Sequence, residues 1–363
     1  IREEIAQAIQ ETAFNRYPQD DYTALREAYA RYLQLQPEQI IAGNGSDEML
    51  GLMIGLYIGK GKKLYTLAPD FSMYDYYCGM HDGEMCRWTI KPGEAFDTEG
   101  FIACGRQEQV SMVLFSNPNN PTGGSIPKPE LCRIVEAFAD IPVIIDEAYA
   151  EFDDSSMIDM LDRYDHLFVT RTLSKAFSLA AIRCGFLLGN AKAMDKIRSA
   201  KVPYNVNVLS ERAARIVLAH HEEITAAADV LKARRDQMFI QLKQLEDETL
   251  TVYPSKANYF YGRCTKKEEL LQAFADAGIQ IRSYADEGFR ITVGTEEENA
   301  KEVDVPDVTG KTSDAAMATL EDKNLTVSRE FEFSNDVPAG QVIRQDPKSG
   351  STVKEGTKVT IYV

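Results

Sequence analysis

The chain has 363 residues, enough for about two to three domains. Hydrophobic residues make up 44% and charged residues 26%, ordinary globular values that argue against a mostly disordered chain or a collagen-like repeat. No run of roughly 18 apolar residues appears, so no spanning helix is expected. The 56 acidic against 40 basic residues give a formal charge of −16, a surface that repels nucleic acid and anionic membrane.

Residues 1–14 alternate charged and small apolar side chains as a surface helix does, without the basic segment and apolar core of a signal peptide. An amphipathic helix is predicted over 23–33. A short strand over 40–42 then runs into Gly43-Asn44-Gly45-Ser46-Asp47-Glu48, followed by a helix over 49–57. Further strands are predicted at 63–67, 112–115, 141–145, 167–170 and 185–189. These are continuous apolar runs rather than alternating ones. Strands covered on both faces read this way, and helices between them imply a mainly parallel sheet of the α/β class. Long helical stretches follow at 191–200 and 210–245. A smaller α/β piece comes next, with strands at 251–253, 258–261 and 289–293 and a helix over 267–277.

Beyond about residue 301 the texture changes: cysteine is absent, and Pro, Gly, Thr and Val dominate. A helix over 313–323 and strand-like runs at 325–333, 340–345 and 358–363 describe a separate small α+β module. The six cysteines, Cys78, Cys86, Cys104, Cys132, Cys184 and Cys264, form no CxxC pair and read as reduced thiols. The four histidines show no metal-ligand spacing, so no metal is expected.

Lys175 is the main chemical candidate. It follows a core strand, is flanked by Thr172 and Ser174, and has Arg183 eight residues on. A lysine there is expected to be partly desolvated and so a nucleophilic amine, with hydroxyls and a guanidinium beside it for a phosphate. This combination suits pyridoxal phosphate. Asp146 ends the apolar run Val143-Ile144-Ile145. It reads either as a helix N-cap or as a buried carboxylate facing a pyridinium nitrogen. Asn120 in the loop after the 112–115 strand and Tyr149 could hydrogen-bond a ring hydroxyl. The turn at Gly45-Ser46-Asp47 opens a helix whose free N–H groups favour a phosphate. Phe71 could stack on a flat ring or belong to the core.

Taken in order, Asn-Pro-Thr-Gly at 120–123, Asp-Glu-Ala-Tyr at 146–149, Ser174-Lys175 and Arg183 resemble the fold type I pyridoxal-phosphate aminotransferases. The strings Asn15-Arg16-Tyr17-Pro18, Arg171-Thr172-Leu173-Ser174-Lys175-Ala176-Phe177 and Phe289-Arg290-Ile291-Thr292-Val293-Gly294 narrow this to the histidinol-phosphate aminotransferases, over about residues 1–302. The resemblance implies a large domain at about 15–245 and a small one at about 246–302, with pyridoxal 5'-phosphate as cofactor. Lys175 would hold the cofactor and shuttle a proton, and Asp146 would pair with its ring nitrogen. Asn120 and Tyr149 would contact its ring oxygen, and Phe71 would stack on the ring. Ser46, Asp47, Thr172, Ser174 and Arg183 would hold its phosphate. Tyr17 matches a tyrosine that reaches the neighbouring subunit's phosphate, which implies a homodimer with shared sites. Arg290 would bind the substrate α-carboxylate and Arg282 its phosphate end; Arg282 also reads as a surface charge. Histidinol phosphate, 2-oxoglutarate and glutamate are the implied substrates, and the cytoplasm the implied compartment.

Three features depart from the family. Its N-terminal Asn-Glu-Asn-Pro-like arm is not found here, Ser178-Leu179-Ala180-Ala181 stands where Gly-Leu-Ala-Gly is usual, and the final helix after Gly294 is expected to stop near Lys301, shorter than in the family. The last segment, 303–363, resembles a PASTA domain through Val305-Pro306-Asp307-Val308-Thr309-Gly310, Pro347-Lys348-Ser349-Gly350 and Lys354-Glu355-Gly356-Thr357. That resemblance implies a spacer or a contact with a peptidoglycan fragment, outside the membrane, against the cytoplasm implied by the enzyme. A binding protein working through its tail is therefore the alternative to an enzyme. Phosphothreonine decarboxylation and aromatic amino acid transamination are the alternative chemistries.

Overall fold

A computed structural model describes residues 1–19, 21–295, 302–334, 336–354 and 356–363; the helix expected to stop near Lys301 lies outside the described residues. Contacts divide the chain into two units, Ile1–Thr292 and Val293–Val363.

The first unit opens with α1 (Arg2–Gln10) and α2 (Thr23–Leu33), then β1 (Ile40–Gly43) and α3 (Gly45–Tyr57). Next come β2 (Lys63–Ala68), α4 (Met73–Met80), β3 (Glu84–Thr89), α5 (Thr98–Gln107), β4 (Met112–Ser116) and α6 (Lys128–Ala137). The series closes with β5 (Val143–Asp146), β6 (Leu167–Thr172), β7 (Gly185–Gly189), α7 (Ala191–Arg198), α8 (Val208–Ala219) and α9 (His221–Gln244). The strands form one seven-stranded sheet in the order β1-β7-β6-β5-β4-β2-β3. Strands β3, β2, β4, β5 and β6 run parallel, while β7 is antiparallel to both its neighbours.

The apolar runs are continuous because both faces of this sheet are covered. Val113, Phe115 and Ile145 enter one hydrophobic cluster, whereas Met112, Leu114 and Ile144 enter a second. Successive side chains of a strand point to opposite faces, so each strand feeds both cores.

Several expected boundaries shift. The helix predicted from residue 49 begins at Gly45, which puts Ser46 and Asp47 in its first turn. The stretch predicted as one helix over 210–245 is two, because His220 ends α8 and precedes α9. Strand β3 and helices α4, α5 and α6 were not foreseen. The small α/β piece is an antiparallel sheet, ordered β10-β11-β9-β8, of β8 (Leu250–Val252), β9 (Tyr259–Cys264), β10 (Arg282–Ser283) and β11 (Gly288–Thr292). Helix α10 (Lys267–Asp276) sits between β9 and β10 in the chain.

The second unit contains β12 (Glu302–Asp304), α11 (Ser313–Glu321), β13 (Thr326–Glu330), β14 (Arg344–Asp346), β15 (Thr352–Lys354) and β16 (Lys358–Tyr362). The three foreseen strands are shorter than predicted and form the sheet β13-β16-β14; β12 and β15 make an additional ribbon. Val305, Val308, Ala316, Leu320, Leu325, Val342, Val359 and Ile361 form its own core. Among the described residues, no helix is long and apolar enough to cross a membrane.

One polar cluster lies inside the first unit. The Arg171 side chain, 5% exposed, reaches Glu147 at 2.8 Å and Glu151 at 2.9 Å, and also donates to Ser156. Glu147 additionally accepts from the Met157 amide at 2.6 Å. Removing one partner of a buried ion pair leaves an uncompensated charge. Arg171→Leu is therefore expected to cost about 3–5 kcal/mol, read by denaturant unfolding. A loss within 1 kcal/mol (roughly a surface pair's worth) would show that the cluster is not buried in solution.

Candidate active site

The C-terminal ends of the parallel strands converge on one cleft. It is lined by Ser46, Asp47, Phe71, Ser116, Asn120, Asp146, Ala148, Tyr149, Thr172, Ser174, Lys175 and Arg183. Ten of the thirteen site residues singled out from sequence therefore line one cleft; Tyr17, Arg282 and Arg290 are not in its lining.

The floor of the cleft is Asp146, the last residue of β5, 4% exposed. The next helical turn, a short 3₁₀ helix over Ala150–Phe152, starts after Tyr149, so Asp146 is not the N-cap that sequence allowed. Its Oδ2 accepts from the Tyr74 hydroxyl at 2.8 Å and its Oδ1 from the Thr170 hydroxyl at 2.8 Å. Burial pushes its carboxyl up from the ordinary carboxylate value, and those two hydrogen bonds oppose the shift. Tyr74 and Thr170 were missed in the sequence. Tyr74 carries no local motif, and Thr170 becomes relevant only through the pairing Asp146↔Thr170 across β5 and β6.

One end of the cleft is an anion cradle. The side chain of Asn44, the residue before α3, does not cap that helix, so its first-turn N–H groups remain available to a ligand. Gly45 has φ +76°, and a Cβ there would lie 2.7 Å from Arg183 Nη2. Gly185 is equally tight, since its Cβ would lie 2.2 Å from the Ser46 nitrogen. Arg183 itself has a left-handed backbone, φ +51°, and donates to Asp47 at 2.7 Å. The Thr172 hydroxyl donates to Ser174 Oγ at 3.0 Å. Non-glycine residues at positive φ are costly and cluster at ligand sites.

Lys175 lies in the loop after β6 and is exposed, not partly desolvated as expected. Its Nζ sits 5.3 Å from the centre of the Tyr149 ring, which is itself buried and packs edge-on against Tyr259. The loop after β4 is held by its own side chains. Asn119 Oδ1 accepts from the Thr122 amide and hydroxyl, and the Tyr259 hydroxyl donates to the Asn119 carbonyl at 2.8 Å. Asn120 Oδ1 accepts from Arg290 at 2.5 Å, which ties the small sheet to the cleft. Arg282 pairs directly opposite Arg290 across β10 and β11, so the two guanidiniums share one face. Tyr17 is 83% exposed and stacks on Tyr204 at 4.9 Å.

The family model "Aminotransferase class I and II" matches residues 1–304, and the PASTA domain model matches residues 303–363. The histidinol-phosphate aminotransferase of Clostridium novyi is 36% identical over 303 residues, covering 82% of this chain and 84% of that protein. The crystal structure of the histidinol-phosphate aminotransferase from Clostridium acetobutylicum superposes with a TM-score of 0.73 at 25% identity, covering 82% of this chain and 91% of the other. That from Sinorhizobium meliloti, solved in complex with pyridoxal-5'-phosphate, gives 0.72 at 23% identity, over 82% and 83%, and shows the shared fold.

Asp70 lies beside this site, and its carboxyl is pushed up to about 8, mainly by burial, with Asp146 adding to the shift. A raised acid favours the fold below its unfolded value, here near 3.8, and loses that favour as pH rises through the folded value near 8. In ligand-free protein, Asp70→Asn should therefore gain melting temperature relative to the parent as pH rises through that window. A parent–variant difference that stays constant across the window would contradict the shift.

Proposed function

The chain belongs to the class I and II aminotransferases, and we propose that it transfers an amino group between histidinol phosphate and the 2-oxoglutarate/glutamate pair, a step of histidine biosynthesis, with pyridoxal 5'-phosphate as cofactor. The observation that carries this reading is the convergence of Lys175, Asp146, Asn120 and Tyr149 with an anion cradle in one cleft. The residues suit the cofactor. Asp146 is a buried carboxylate lining the cleft, its two side-chain hydrogen bonds come from neutral hydroxyls, and a protonated ring nitrogen would complete its pairing.

When bound, the cofactor supplies an aldehyde that condenses with amines and a ring that draws electrons from them. Lys175 Nζ would hold the aldehyde carbon and move a proton from the substrate α-carbon. Asp146 would hold the proton on the ring nitrogen, Asn120 and Tyr149 would bind the ring oxygen, and Phe71 would cover one ring face. Ser46, the Asp47 amide, Thr172, Ser174 and Arg183 would orient the phosphate. Arg290 would take the substrate carboxylate and Arg282 its phosphate end. Like charges directly opposed across strands are unfavourable, so the Arg282–Arg290 pair supports a substrate with two anionic groups. An aromatic amino acid brings one carboxylate and leaves Arg282 without an anion.

The exposed Tyr17 fits the further reading that two chains form a homodimer and that this ring reaches the partner's cofactor phosphate. A cytoplasmic enzyme is the corresponding location. For the PASTA unit the reading is a contact with a peptidoglycan fragment, supported by its family and by the exposed rings of Phe331 and Phe333, 81% and 89% exposed. Titrating a muropeptide into the full chain should release or absorb heat; a flat titration would discard that role.

Steady-state assays test the main reading. Histidinol phosphate should exceed phenylalanine in kcat/KM by about tenfold or more, a gap of about 1.4 kcal/mol, and Arg282→Ala should narrow it. Equal values for the two donors would overturn the substrate assignment. Lys175→Ala should lower turnover at least about a thousandfold with the fold intact. Turnover near the parent rate would overturn the role of Lys175.

A further inference from the structure

Asp70 joins the two walls of the cleft, and no sequence motif marks it. It follows β2, in the turn that carries Phe71, and its carboxyl oxygens accept from four donors. Oδ1 accepts from the Phe71 amide at 2.7 Å and from the Ser116 hydroxyl at 2.5 Å, and Oδ2 accepts from the Ser116 amide at 3.1 Å and from the Thr66 hydroxyl at 3.5 Å. Ser116 ends β4, and its hydroxyl oxygen in turn accepts from the Asn120 amide at 2.9 Å and from Asn119 Nδ2 at 3.4 Å. A hydroxyl has one proton and two lone pairs. With two amides on its lone pairs, the Ser116 proton is directed to Asp70. The carboxylate thus fixes the turn of Phe71 directly and the loop of Asn120 through one hydroxyl. Phe71, Ser116 and Asn120 all line the cleft, on separate loops.

We propose that Asp70 is a positioning residue which, through Ser116, locks the ring-stacking Phe71 and the ring-oxygen ligand Asn120 into one geometry for pyridoxal phosphate. The inference rests on the cofactor reading above. Burial and the nearby Asp146 disfavour the charge of Asp70. A group that costs stability in the ligand-free protein and orders a ligand pocket fits a trade of stability for function. Asparagine at this position keeps one acceptor oxygen and presents an N–H₂ group to donors already there, so Asp70→Asn removes one of the two acceptor atoms at nearly constant volume.

The experiment titrates pyridoxal phosphate into full-length parent, Asp70→Asn, Ser116→Ala and the double variant. It follows the dissociation constant and the circular dichroism of the bound-cofactor band at matched occupancy. Each single variant is expected to bind about tenfold more weakly, as for the loss of one buried hydrogen bond, with a reduced dichroic band. The double variant is expected to be no weaker than the weaker single, because both changes break one relay. Parent-like affinity and dichroism in Asp70→Asn would overturn the proposal, as would fully additive losses. A merely structural role would lower the melting temperature and leave both cofactor readouts unmoved. If Asp70→Asn does not fold, Ser116→Ala decides: a parent-like dissociation constant and band overturn the proposal, and the tenfold loss supports it. A parent protein that forms no band removes the cofactor reading itself, an outcome distinct from a parent that binds and a variant that binds equally well.

Discussion

Burying a carboxylate at the end of the middle strand constrains the whole site. Asp146 ends the fourth of seven strands and is almost without solvent. A charge there is costly unless it is hydrogen-bonded and paired. Two neutral donors answer part of that cost, Tyr74 from α4 and Thr170 from β6. Both depend on the fold: α4 must return across the sheet after β2, and β6 must lie parallel to β5 in one register. The Ala148 amide adds a third donor, and the carboxyl still lines the cleft, where a positively charged group of a ligand would meet it.

The other groups follow from the same topology. In a mainly parallel sheet, the loops leaving the C-terminal strand ends meet on one edge. Asn120 leaves β4, Asp146 and Tyr149 leave β5, and Lys175 leaves β6. The anion cradle comes from the opposite arm, where the first turn of α3 meets Arg183 just before the antiparallel β7. Gly185 lets the two backbones approach, since a side chain there would strike the Ser46 nitrogen. The small sheet adds the arginines, with Arg290 anchored to Asn120.

Much of this was legible in the sequence because the signals are local. Strands β4 to β7 are apolar runs, and the loops behind them carry distinctive polar strings. Other parts had no local signal. Strand β3 is an edge strand with half-exposed, mixed residues, Glu84 to Thr89, and gives neither alternation nor an apolar run. Tyr74 and Asp70 act through partners 72 and 46 residues away, a spacing set by tertiary packing alone. Lys175 shows the reverse error: its place after a core strand suggested desolvation, but the loop carries it into the open cleft. The second unit was recognisable because its strands and turns are local, whereas its β12–β15 ribbon joins residues about fifty positions apart.

Asp146 is proposed to hold a protonated ring nitrogen, and nitrogen NMR of ¹⁵N-labelled pyridoxal phosphate bound to the full chain at neutral pH reads that proton. A protonated ring nitrogen is expected in the parent and an unprotonated one in Asp146→Ala. The same ring-nitrogen signal in both proteins would refute the pairing.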